Sequence, residues 1–133
     1  MKSDNNPLNI RFTKSNKWLG QIGQNKGFVK FLSMSYGVRA AIILLKNYFE
    51  KYHLDTIEKI ISRYAPSSEN DTQAYISYVS SMTNIPRDRK ISLETILYDV
   101  LPSMAVFESH YFLSDDFVEY VICRYKIKLY EKD

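Results

Sequence analysis

Between Ser92 and His110 the apolar residues Leu93, Ile96, Leu97, Val100, Leu101 and Met104 recur at spacings of three and four, the period of a helix that buries one face. This stripe constrains the chain most, because it commits a long segment to lie along a core. The next position on it is a carboxylate, Glu108. At ~100° per residue its side chain falls between the azimuths of Leu97 and Leu101, so a regular helix points it at the interior or into a cleft. Burial disfavours the charged form and raises a carboxyl pKa. A Glu kept protonated near neutral pH is what a glycosidase uses as its general acid. The alternative is a solvated or structurally paired Glu: Pro102 lies inside the pattern, and a kink there would rotate everything beyond it.

The stripe belongs to a chain of 133 residues, long enough for one core and read as a single domain over 1–133. Hydrophobic residues make up 45% and charged residues 25%, the balance of an ordinary soluble domain. The 18 basic residues exceed the 15 acidic ones by a net +3, too little to indicate a nucleic-acid partner but enough to favour approach to an anionic polymer or surface. A basic face gathering Lys14, Lys17, Lys26 and Lys30 would be needed to revive nucleic-acid binding. The eleven Tyr and seven Phe suit either a core of polar-tipped rings or a groove that stacks on sugars. Cys123 is the only cysteine, so it reads as a small buried hydrophobe on a terminal helix. No run is long enough to span a membrane, and the start lacks the apolar segment of a signal peptide. The expectation is synthesis in the bacterial cytoplasm.

Residues 1–33 carry three of the four glycines, with short apolar pieces at Leu8 to Phe12 and Phe28 to Leu32. They read as irregular structure with one small hairpin or two short strands. Ser35 is placed to cap a long helix with Val38, Ala41, Ile42, Leu45, Tyr48, Phe49 and Tyr52 on its apolar face. Asp55 is placed to cap a short helix through Arg63, facing Ile57, Ile60, Ile61 and Tyr64 inward. Asn70 or Asp71 starts another, carrying Tyr75, Ile76, Val79 and Met82, and Ser114 opens the last. The fold class is mainly α.

Few constellations carry chemistry. His53 and His110 are the only histidines and form no ligand pattern, so neither a metal nor a cofactor is expected. No nucleophile elbow occurs, and Gly20, Gly23 and Gly27 do not make a phosphate loop. Two polar groupings remain: Asn6 to Ile10 with Trp18 and Gln21, and Pro66 to Thr72 with Tyr75. Each has a structural use in turns and caps; the first also suits a carbohydrate groove of ring faces and amides, and the carboxylates of the second also suit the wall of a cleft.

The blocks Asn6-Pro7-Leu8-Asn9-Ile10-Arg11, Trp18-x-Gly20-Gln21, Gly27-Phe28-x-x-Phe31, Tyr36-Gly37-x-Arg39-Ala40-Ala41, Thr56 to Pro66 and Glu69-Asn70-Asp71-Thr72-x-x-Tyr75-Ile76 resemble a family of small phage and prophage proteins labelled virion structural proteins. In addition, Asn-Pro-x-Asn-Ile followed by Trp-x-Gly and Phe-x-x-Phe is similar to the stretch C-terminal to the catalytic Glu in glucosaminidase-type peptidoglycan hydrolases. Pro66 to Val79 is similar to a segment of lytic transglycosylases. Both belong to the lysozyme-like superfamily, in which the catalytic Glu precedes these blocks, often as Glu-Ser-Gly. Here no Glu precedes Glu50, and Glu108-Ser109 stands at the other end, with His110 where glycine is usual.

The resemblance therefore implies a lysozyme-like helical domain in circularly permuted order, a rearrangement that needs only nearby termini. It implies cleavage of the β-1,4 bond of peptidoglycan glycan strands, with Glu108 as general acid/base. Tyr75, Asn9, Trp18, Gln21 and Glu69 would line the substrate groove. Glu69, Asp71 and Asp99 are candidates for a second carboxylate, and a one-carboxylate route stays open. The other expectation is a non-catalytic virion protein on the same scaffold, in contact with other virion proteins.

Overall fold

The first described segment is held to the fold by buried amides, because a chain of loops with few apolar residues must satisfy its backbone through side chains. Asn6 is 3% exposed. It donates to the carbonyls of Ile10 (3.0 Å) and Val29 (2.9 Å) and accepts from the Ile10 amide (2.9 Å). The computed structural model describes residues 4–67 and 71–129, and over these the protein is mainly helical with one two-stranded antiparallel sheet.

Strands β1 (Gln21–Asn25) and β2 (Phe28–Phe31) form the hairpin. Lys26 and Gly27 both have positive φ, 53° and 88°, the conformation of a two-residue turn whose twist matches the strands it joins. Leu8 to Phe12 runs along the free edge of β2, with Val29 N–H bonded to Ile10 O and Phe12 N–H to Gly27 O. The two apolar pieces expected near the N-terminus are thus neighbours, although the hairpin itself joins 21–25 to 28–31.

Helix α1 (Met34–Tyr52) buries Val38, Ala41, Ile42, Leu45 and Tyr48. The predicted stripe stops there, for Phe49 is half-buried and Tyr52 exposed under the Arg63 guanidinium, 4.2 Å from its ring centre. Its N-cap residue is Ser33 rather than Ser35. Gly37 lies where the N-terminal segment crosses the helix: a Cβ there would sit 1.8 Å from the Asn5 carbonyl oxygen.

Helix α2 (Ile57–Tyr64) is capped by Thr56, whose hydroxyl accepts the Lys59 N–H, and not by Asp55. Asp55 pairs with the Lys59 ammonium, while its carbonyl accepts the Ile91 N–H. Helix α3 (Thr72–Thr83) starts at Asp71, which caps the Ala74 N–H. It buries Tyr75, Ile76 and Val79 but leaves Met82 in solvent.

The stripe from Leu93 folds as a helix with a widened middle. It comprises α4 (Leu93–Thr95), a π-helical turn (Ile96–Val100) and α5 (Leu101–Ser109). Leu101 N–H bonds Ile96 O, five residues back. The looser turn directly precedes Pro102, whose ring would clash with the carbonyl four residues earlier in a regular helix. Inserting it keeps the helix running past the proline, so Ile96, Leu97, Val100, Leu101, Met104 and Ala105 are all fully buried. Helix α5 ends with His110 in the left-handed region, φ 59°, its N–H on Val106 O. Helix α6 (Asp115–Arg124) is capped by Ser114 and packs on α1. Cys123 faces solvent on its last turn, contrary to the buried role expected of it. One cluster of buried side chains runs from Leu8 to Val121.

Candidate active site around Glu108

Glu108 occupies the last turn of α5, half-buried. The end of a helix leaves carbonyls without intrahelical donors. One of these carbonyls is met from the far end of the sequence, and a hydroxyl of the same turn reaches back to that segment. Asn9 Nδ2 donates to the Glu108 carbonyl at 2.8 Å and lies 3.5 Å from its Oε1. Ser109 Oγ donates to Pro7 O at 2.8 Å and lies 3.2 Å from Ala105 O. Asn9 reaches this position in the left-handed region, φ 54°, where Asn is better tolerated than most residues. Residues 7–9 are thus bonded to the last turn of α5.

Two tyrosines close the other sides. Tyr64, from the end of α2, donates its enclosed hydroxyl to Leu8 O. Tyr75, from the first turn of α3, is 2% exposed and stacks on Phe107 with ring centres 3.9 Å apart. Its hydroxyl is near enough to Glu108 for each group to affect the other's protonation, yet among the described residues it meets no partner at ordinary hydrogen-bond geometry. A buried hydroxyl without a partner is costly, and native proteins rarely leave one unless the position has a use.

The electrostatics arise from this enclosure. Burial pushes the Glu108 carboxyl above its ordinary value, and the opposing pull of the Tyr75 hydroxyl, the Asn9 amide and the Arg11 guanidinium does not cancel it. The negative end of the α5 dipole acts in the same direction as burial. Burial, reinforced by the Glu108 charge, raises Tyr64 and Tyr75 as well, so both stay protonated donors. The result is a carboxyl biased toward its acid form, with amide and hydroxyl donors ready to hold it once the proton leaves.

Asn9 and Tyr75 thus lie beside Glu108, while Trp18 and Gln21 are drawn into a separate arrangement. Gln21 Oε1 accepts the Trp18 N–H at 3.1 Å, closing the turn between them. Trp18 lines an open depression of about 590 Å³ with Lys17, Leu19, Gly20, Arg39 and Ile43. Glu69 lies outside the described residues. Asp71 is exposed and caps α3, and Asp99 is exposed on the π-helical turn. Among the described residues no second carboxylate perturbs Glu108, and no group of His, Cys, Asp and Glu is placed to hold a metal. No helix among them is long and apolar enough to cross a membrane. Arg11, Tyr64 and Phe107 join the cluster although the sequence does not mark them for it. Tyr64 is visible there only as an inward position on the α2 stripe, and nothing in the local pattern distinguishes Arg11 or Phe107.

No family model matches the chain. It is 41% identical over 96 residues to Protein P5 of Pseudoalteromonas phage PM2, a match that takes in 69% of this chain. The chain spans about 60% of the length of that relative. It is similar, over most of its own length, to a phage protein.

Proposed function

We propose that this is a phage-type wall-active protein that cleaves the β-1,4 bond of peptidoglycan glycan strands, with Glu108 as general acid and then base. One observation carries the reading. The Asn6–Ile10 segment, which resembles the chain following the catalytic Glu of lysozyme-like enzymes, is fastened to Glu108-Ser109 although about a hundred positions separate them. Tyr75, from the second resembling segment, reaches the same carboxyl. Such closure is what a circularly permuted lysozyme-like domain requires.

In this mechanism protonated Glu108 gives its proton to the glycosidic oxygen as the bond to C1 breaks and positive charge develops on C1 and the ring oxygen. The carboxylate left behind is held by Asn9 and Tyr75 and attracted by Arg11. It then takes a proton from the attacking nucleophile, either water or the sugar's own hydroxyl. Hydrolysis by a carboxylate pair needs its second member roughly 5 to 9.5 Å away. Internal attack by the sugar hydroxyl, the lytic transglycosylase route, needs no second carboxylate, and none acts on Glu108 among the described residues.

A second reading is a virion structural or interaction protein that keeps the scaffold without catalysis. It is favoured by the shortest Asn9 bond, which goes to the Glu108 backbone and serves as a helix cap whether or not substrate binds. Incubation of the purified protein with peptidoglycan sacculi, followed by mass analysis of released muropeptides, separates the two. Cleavage with anhydro ends supports the transglycosylase route, and reducing ends support hydrolysis. No release from sacculi of several wall types leaves the virion reading standing.

A further inference from the structure

Every charged residue from Asn5 to Phe49 is a Lys or an Arg. Residues 5–49, which hold the hairpin and most of α1, are therefore cationic in a chain whose net charge is only +3, with the buried Asp4 just before them bonded to Asn25 of the hairpin. The open depression beside Trp18 is in this part, and it has two cations on its walls, Lys17 and Arg39. Neither has an ion-pair partner among the described residues. Arg39 is not loose, however, for its guanidinium sits 5.8 Å from the centre of the Tyr125 ring.

The remaining walls, from Trp18, Leu19, Gly20 and Ile43, carry no charge. Gly20 has φ 78°, and a Cβ there would be 2.2 Å from Cγ of Tyr36, so only glycine lets the loop close onto that ring. Gln21 fixes the Trp18 backbone, and the half-buried indole packs against the core. A volume of about 590 Å³ is within the small-ligand range.

We propose that this depression is a binding site for an anionic pyranose, separate from the Glu108 cluster. The indole takes the C–H face of the sugar ring, and Lys17 and Arg39 take a carboxylate or phosphate carried on it. A single aromatic platform in a bounded hollow fits one ring better than a nucleic-acid strand, which needs successive stacking platforms along a cationic track. The inference does not depend on Glu108 being catalytic.

Trp18 is the only tryptophan, so its fluorescence reports occupancy directly. The experiment titrates the protein with N-acetylmuramic acid (carboxylate), N-acetylglucosamine 6-phosphate (phosphate), neutral N-acetylglucosamine and oligothymidylate. Either anionic sugar should change the emission at about tenfold lower concentration than the neutral one, since two exposed charge contacts are together worth that order. Whichever of the two binds better identifies the charge. Lys17→Gln, at an exposed position, should lose most of that preference, as should Arg39→Gln. Glu108→Gln should keep it, which separates failure of this site from failure of the catalytic reading. The proposal is overturned by no spectral response to either anionic sugar, by equal response to charged and neutral sugars, by unchanged preference in Lys17→Gln, or by oligothymidylate outcompeting them all.

Discussion

Glu108 is enclosed by side chains that arrive from residues 7–11, 64 and 75, whereas Trp18 is held by a neighbour three positions away and opens onto solvent. The first environment is built by tertiary closure and withdraws part of the carboxyl from water, so it moves a carboxyl pKa and leaves the Tyr75 hydroxyl unmet among the described residues. The second is built by a local turn and carries two cations, Lys17 and Arg39, that make no ion pair among the described residues. Residue chemistry alone groups Asn9, Trp18 and Gln21 into one groove. In the folded chain, amides and rings close in sequence are sorted by which of them the core claims.

The largest effect expected from disturbing this contrast is at Gly37. A Cβ there meets the Asn5 backbone at 1.8 Å, so Gly37→Ala must push the N-terminal segment off α1, at a cost of about 3 kcal/mol or more in urea unfolding. Removal of the buried Asn6 amide in Asn6→Ala deletes three hydrogen bonds, taking the acceptor from the Ile10 N–H and a donor from the Val29 carbonyl while Ile10 O keeps the Val29 N–H, and should cost about 2 to 4 kcal/mol. Both changes should loosen the bonds of Pro7 and Asn9 to α5, and wall cleavage should fall with them. Equal stability of Asn6→Ala and wild type would mean that tertiary closure does not build the Glu108 environment.

A smaller effect is expected at Tyr75. Tyr75→Phe keeps the stack on Phe107 and deletes the unmet hydroxyl, so stability should stay within about 1 kcal/mol of wild type or rise. Cleavage should nevertheless drop, because the donor facing the carboxylate is gone. If stability falls by several kcal/mol, the hydroxyl has a structural partner and no role reserved for substrate.

The smallest effect is in the pH dependence of stability. Glu108 binds its proton more tightly in the folded state than at its ordinary value of 4.5. Stability is therefore lost as pH rises from about 4.5 to the raised folded pKa and is flat above it. Glu108→Gln does not titrate, so its melting temperature relative to wild type should climb through that window and then level off. A constant difference between pH 4 and 8 would mean that Glu108 is solvated in the folded protein.

The helices are legible in the sequence because their period is local. Val38 to Tyr48, Ile57 to Ile61 and Tyr75 to Val79 bury the faces their spacing marks. Boundaries are less so: adjacent polar residues compete for the cap, and Thr56, which is buried, wins over Asp55, which finds Lys59. Stripes also overrun the core at their ends, which is why Tyr52 and Met82 are exposed. Glu108 stands out as a carboxylate on an apolar stripe, and it is half-buried at the last turn of the helix that continues past Pro102. Arg11 and Tyr64 are not legible as its neighbours, since no local pattern states which turn will close on which helix end.

Whether Glu108 transfers the proton in glycan cleavage is decided by the rate of muropeptide release from sacculi by wild type and Glu108→Gln at matched folded concentration. Glutamine keeps the size and can still meet Asn9, but it has no acidic proton. A loss of about 100-fold or more is expected, the scale of general acid catalysis. Equal release by the two proteins would show that the proton comes from elsewhere.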